Sequence, residues 1–82
     1  MPASLADDGQ ELFRRLIHLP DEVKNQPPPP DLQEQFIRWR KRFVQNHPER
    51  TSASMNTAEP HARRLTVRLL SYYLEILIRQ AT

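Results

Sequence analysis

The sequence predicts an all-α protein, a small three-helix bundle with helices over about residues 5–18, 32–46 and 57–79 joined in part by a polyproline connector. Three observations carry this prediction. Apolar residues recur at three- and four-residue intervals in three separate segments, the period of one face of an α-helix. The chain has one glycine against eight prolines, which suits helices separated by proline stops better than strands joined by tight turns. No stretch carries a strand signal. At 82 residues the chain makes a single helical domain at most, and one of modest stability, because a small globule buries only about two-thirds of its unfolded surface.

The first helix places Leu5, Leu12, Phe13, Leu16 and Ile17 on one side and Asp7, Asp8, Glu11, Arg14, Arg15 and His18 on the other. Two starts are open: Ser4 with Asp7 three residues on, or Asp8 with Glu11 in the reciprocal position of a capping box. The second gives a firm helix from near Asp8, and we take it as the expectation. In the longer version Gly9 sits on the apolar face, at a cost of about 1 kcal/mol against alanine. Pro20 ends the helix, because a proline pushes the residue before it out of the helical region. Residues 20–24, Pro-Asp-Glu-Val-Lys, suit one short helical turn with acids near its N-terminus.

Pro27, Pro28, Pro29 and Pro30 form an extended polyproline II stretch of roughly 12 Å. With no adjacent basic anchor and a helix directly after it, this reads as a stiff connector rather than a ligand for a proline-reading domain. The second helix has Asp31 and Glu34 at capping-box spacing. Leu32, Phe36, Trp39 and Phe43 share a narrow arc, extended by Ile37 and Val44. Arg38, Lys41 and Arg42 lie opposite, and Arg40 lies between the two apolar groups. His47-Pro48 ends it. Residues 49–56 are small and polar and read as a loop.

The last helix is the central element. Ten of the fourteen residues from 65 to 78 are Leu, Ile, Val or Tyr. At 100° per residue the apolar positions span an arc of about 240°, against nearer 100° for an ordinary surface helix. Arg64, Arg68, Ser71, Glu75 and Arg79 fill the rest. Asn56 with Glu59 offers its N-cap, and Pro60 is tolerable in a first turn. Leu65, Leu69 and Ile76 face one way; Val67, Leu74 and Ile78 face roughly opposite. Two short helices cover one side, and the other is left for an apolar interface, expected at Val67, Leu74 and Ile78, with a second copy of the chain or a different protein.

Net charge is +2, unevenly spread. Residues 1–35 carry three basic and seven acidic side chains, and residues 36–82 carry nine and three. Such a division suits an anionic partner, or an acidic part folded against a basic one. The candidate anion-binding residues are Arg38, Arg40, Lys41 and Arg42 on the second helix and Arg63, Arg64 and Arg68 at the third. The two clusters flank the polar loop, where one basic surface would form. Basic groups beside Trp39 and Phe43 suggest nucleic acid, but those rings share the core arc of their helix.

Several chemistries are disfavoured. A phosphate-binding glycine loop or dinucleotide fingerprint needs at least two glycines, and Gly9 stands alone. There is no cysteine, hence no disulfide and no thiolate nucleophile or metal ligand; this suits a reducing compartment, and a cytoplasmic location is expected. His18, His47 and His61 lie too far apart for a shared helix face as metal ligands. Asp7-Asp8 and Asp21-Glu22 sit where they complement helix dipoles rather than in a dry catalytic pocket. The N-terminus lacks the pattern of a secretory signal. The final apolar run is interrupted by Arg68 and Glu75 and falls short of the roughly 20 residues a membrane span needs. The expectation is therefore a soluble, non-enzymatic regulatory or adaptor protein without cofactor or metal, acting by protein–protein interaction; the alternative is a nucleic-acid-binding protein.

Overall fold

A computed structural model of the chain describes residues 4–47 and 64–81. They form helices α1 (Leu5–Ile17), α2 (Pro30–Asn46) and α3 (Val67–Ala81), with a 3-10 turn at Asp21–Val23. No strand occurs among the described residues. The predicted all-α, three-helix architecture is the one observed among the described residues. The expected loop at 49–56 lies outside the described residues.

α1 starts earlier than its expected firm part. Ser4 Oγ accepts a hydrogen bond from the Asp7 amide at 3.0 Å, satisfying one of the donors that a helix N-terminus leaves free. Asp8 is consequently inside the helix, and its carboxylate meets Arg42 of α2. Gly9 is buried, and a Cβ there would lie 2.8 Å from Ile78 Cγ1 and 2.9 Å from Trp39 Cζ2. Its lack of a side chain lets α1 approach both other helices closely. At the other end His18 donates its amide to Arg14 O at 3.1 Å, and Pro20 stands two residues beyond.

α2 begins at Pro30, two residues before its expected start, and Pro29 takes the cap position in place of Asp31. The reason lies in the proline run. Pro29, at φ −55° and ψ 149°, is still in the extended region. Pro30 needs no partner for an amide it does not possess and has its φ already set for a helix. Asp31 becomes a first-turn acid, favourable beside the N-terminal end of the dipole. Pro28 is buried, so the connector packs against the bundle as well as spanning it.

The start of α3 differs most from expectation. Arg64, Leu65 and Thr66 are not helical, so no continuous helix runs from 57 to 79; the proposed Asn56 cap lies outside the described residues. Thr66 is the cap: its Oγ1 accepts from the Leu69 amide at 3.3 Å. The two amides before that are taken by the connector between α1 and α2. Val67 donates to Gln26 O at 2.9 Å and Arg68 to Lys24 O at 3.0 Å. The helix therefore begins where backbone carbonyls of another segment receive its free donors.

The core comprises Leu12 and Leu16 of α1, Leu32, Phe36, Ile37, Trp39 and Phe43 of α2, and Val67, Leu70, Leu74, Leu77 and Ile78 of α3. Trp39 donates from Nε1 to Leu5 O at 2.7 Å, which satisfies the one polar atom of a buried indole. Its ring lies 5.7 Å from that of Phe43, and Phe36 lies 5.6 Å from Tyr73. The cross-helix contacts fix the directions. Asp8 meets Arg42 while Arg15 meets Gln35, so α1 runs counter to α2. Gly9 faces Ile78 while Ile17 shares a groove with Val67, so α1 also runs counter to α3.

Candidate interaction site

α3 has two apolar sides, and the bundle covers only one. Val67, Leu74 and Ile78, the expected interface, are 1%, 0% and 4% exposed. They belong to the core of the single chain, and that expectation is corrected. With Leu70 and Leu77 they make a continuous aliphatic arc of about 100° at helical spacing, the broader of the two apolar sides and the one α1 and α2 cover. The opposite side is open. Leu69, Tyr72 and Ile76 are 52%, 58% and 55% exposed. Their spacing of three and four residues sets them in one stripe along the helix, whereas half-buried Leu65, just before the helix, packs against the core.

Beside this stripe runs a groove between α1 and α3, about 140 Å³ in volume, lined by Phe13, Ile17, Lys24, Val67, Arg68, Ser71, Tyr72 and Glu75. Ile17 is exposed on its far wall. Ser71 is buried, its hydroxyl donating to Val67 O at 2.8 Å. Arg68 and Glu75 stand two turns apart on the same flank of α3. Glu75 holds Arg79 at 2.8 Å, and Arg68 Nε reaches Asn25 Oδ1 at 3.4 Å. The groove is thus apolar at its floor and carries two positive charges, Lys24 and Arg68, and one negative, Glu75, at its edge.

The basic residues separate. Arg38 and Arg42 line a second groove, about 240 Å³, between α1 and α2, with Asp8, Glu11, Leu12, Arg15, Gln35 and Trp39. Arg42 is engaged there by Asp8 at 2.7 Å. Lys41 is exposed on α2. Arg64 is exposed before α3, and Arg68 faces the other groove, on the opposite side of α1. Arg63 lies outside the described residues. Arg40 is not on the surface at all: it is 4% exposed, and its Nε donates to Tyr73 Oη at 3.1 Å. Its place between the two apolar groups of α2 carries it inward with them, among Phe36 and Ile37. Its Nη2 is buried without a hydrogen-bond partner. The single basic surface expected from the two clusters is not formed by these described residues.

Among the described residues no three His, Cys, Asp or Glu side chains are grouped to hold a metal ion, and no helix is long and apolar enough to cross a membrane. The outer stripe was half visible in the sequence. The helical wheel groups Leu65, Leu69 and Ile76, but nothing local says which apolar side the shorter helices cover, and Ile17 and Tyr72 carry no signal of exposure. Compared with known protein families, characterised proteins and solved structures, the chain has no match.

Proposed function

We propose that this is a small, non-enzymatic, cytoplasmic helical protein of the regulatory or adaptor kind, which acts by protein–protein interaction through the outer face of α3. The observation that carries the reading is the row of Leu69, Tyr72 and Ile76, each more than half exposed on a single helical stripe. Scattered apolar residues on a surface need no explanation, but a contiguous row rimmed by charges is the usual form of an interaction site. Tyr72 adds the large, amphipathic ring that interface centres favour. The nucleic-acid alternative has less support. Arg40 is unavailable, Arg42 is engaged by Asp8, and Arg38 and Arg68 lie in different grooves.

The test is photo-crosslinking in the native host, with a photoreactive amino acid at Tyr72 and, as a control, at exposed Arg14 of α1. The reading expects a discrete protein adduct from position 72 and none from position 14. Absence of an adduct at 72, or equal adducts from both positions, would overturn it.

A further inference from the structure

Resting on that reading of the α3 face, we propose that its occupant is a second copy of the chain, docked antiparallel along the same stripe. The pattern is self-complementary when two copies run antiparallel. With a two-fold axis passing beside α3 at the level between Tyr72 and Tyr73, Leu69 lies against the partner's Ile76 and Tyr72 against the partner's Tyr72, all of them exposed in the single chain. Both contacts are largely apolar; the symmetry makes the Leu69–Ile76 contact twice and sets the two Tyr72 rings against each other across the axis.

The charges at the edge select the direction. A two-fold axis perpendicular to antiparallel helices brings the same flank of both copies together. Arg68 and Glu75 occupy one flank, the one facing the groove to α1. In the antiparallel register Arg68 therefore comes beside the partner's Glu75, and Glu75 beside the partner's Arg68. The remaining offset of two residues is about 3 Å of helix rise, well within the reach of an arginine. Glu75 already holds Arg79, and a carboxylate accepts from two guanidinium groups at once. A parallel pair would instead set this flank against the partner's Thr66 and Tyr73, leaving both charges unmatched. The like-charged approach in the antiparallel pair, Arg79 towards the partner's Arg64, falls at the outer ends, where both side chains extend into water.

The stripe is short, so the dimer belongs to the weak, concentration-dependent class that buries less than about 1,200 Å² in total. Sedimentation equilibrium of the full chain from about 10 μM to 1 mM covers that range. Wild type is expected to pass from monomer to dimer. Arg68→Glu alone and Glu75→Lys alone each weaken association about tenfold, since each replaces two attractions by two repulsions. The double variant, Arg68→Glu with Glu75→Lys, recovers wild-type association to within about threefold if these residues face each other across the axis. All three are compared at equal helical circular dichroism. Wild type that stays monomeric throughout would overturn the second copy, and a dimer that the double variant fails to restore would overturn the antiparallel register. A Tyr72 adduct whose mass is not twice that of the chain would overturn the second copy while leaving the proposed interaction face standing.

Discussion

At the scale of single residues, three positions show the energetic balance of the fold. Gly9 in mid-helix costs about 1 kcal/mol against alanine by helix propensity, so Gly9→Ala would stabilise an isolated helix. Here the added methyl meets Trp39, whose indole is fixed by its hydrogen bond to Leu5 O. Overpacking of this kind costs about 1–3 kcal/mol, which exceeds the propensity gain. Gly9→Ala should therefore lower the midpoint of thermal unfolding, and a rise would show that the indole can move aside. Trp39→Ala should cost about 3–5 kcal/mol in denaturant unfolding, as for a large buried aromatic; a loss below about 1 kcal/mol would contradict its place in the core. Arg40 runs the other way. A buried guanidinium with an unpartnered nitrogen is a desolvated charge without full compensation. Arg40→Met keeps the length and removes the charge, and should leave stability unchanged or raise it by about 1 kcal/mol or more. A loss larger than that would mean that the guanidinium bond to Tyr73 outweighs its desolvation.

At the scale of elements, α3 depends on contacts that its own sequence does not announce. Thr66 caps it and the connector carbonyls of Lys24 and Gln26 take its first amides. Thr66→Ala should cost about 1 kcal/mol, measured by denaturant unfolding; no change would mean that the connector carbonyls suffice. This is also why the start of α3 was illegible. Asn56 with Glu59 has better capping-box spacing than anything near Thr66, and the carbonyls that receive Val67 and Arg68 come from some forty residues away. α1 and α2, by contrast, were legible, because their apolar positions fall on one arc and prolines mark their ends. Arg40 was misplaced because charge predicts exposure only where the neighbouring positions are polar, and on α2 they are Phe36 and Ile37. The exposed cations of α2 allow a check on the interface. Replacing Arg38, Lys41 and Arg42 together by Ala should retain the helical circular dichroism, since alanine is the better helix former and Arg42's ion pair with Asp8 is solvent-exposed. The Tyr72 photo-adduct should persist in this triple variant; its loss would move the interface to the groove between α1 and α2.

At the scale of the whole molecule, the central claim is that α3 divides into an inner side that makes the bundle and an outer side that the bundle does not use. A small domain has roughly 5–15 kcal/mol of stability to lose, and two buried charges exhaust it, whereas surface substitutions usually change stability by no more than about 0.5 kcal/mol each. Denaturant unfolding of two double variants separates the sides most directly: Leu74→Glu with Ile78→Glu against Leu69→Glu with Ile76→Glu, both read below the concentration at which wild type associates. The inner pair should leave no cooperative transition, and the outer pair should unfold within about 1 kcal/mol of wild type. An outer pair that unfolds as readily as the inner one would contradict the account, because the stripe would then belong to the chain's own core.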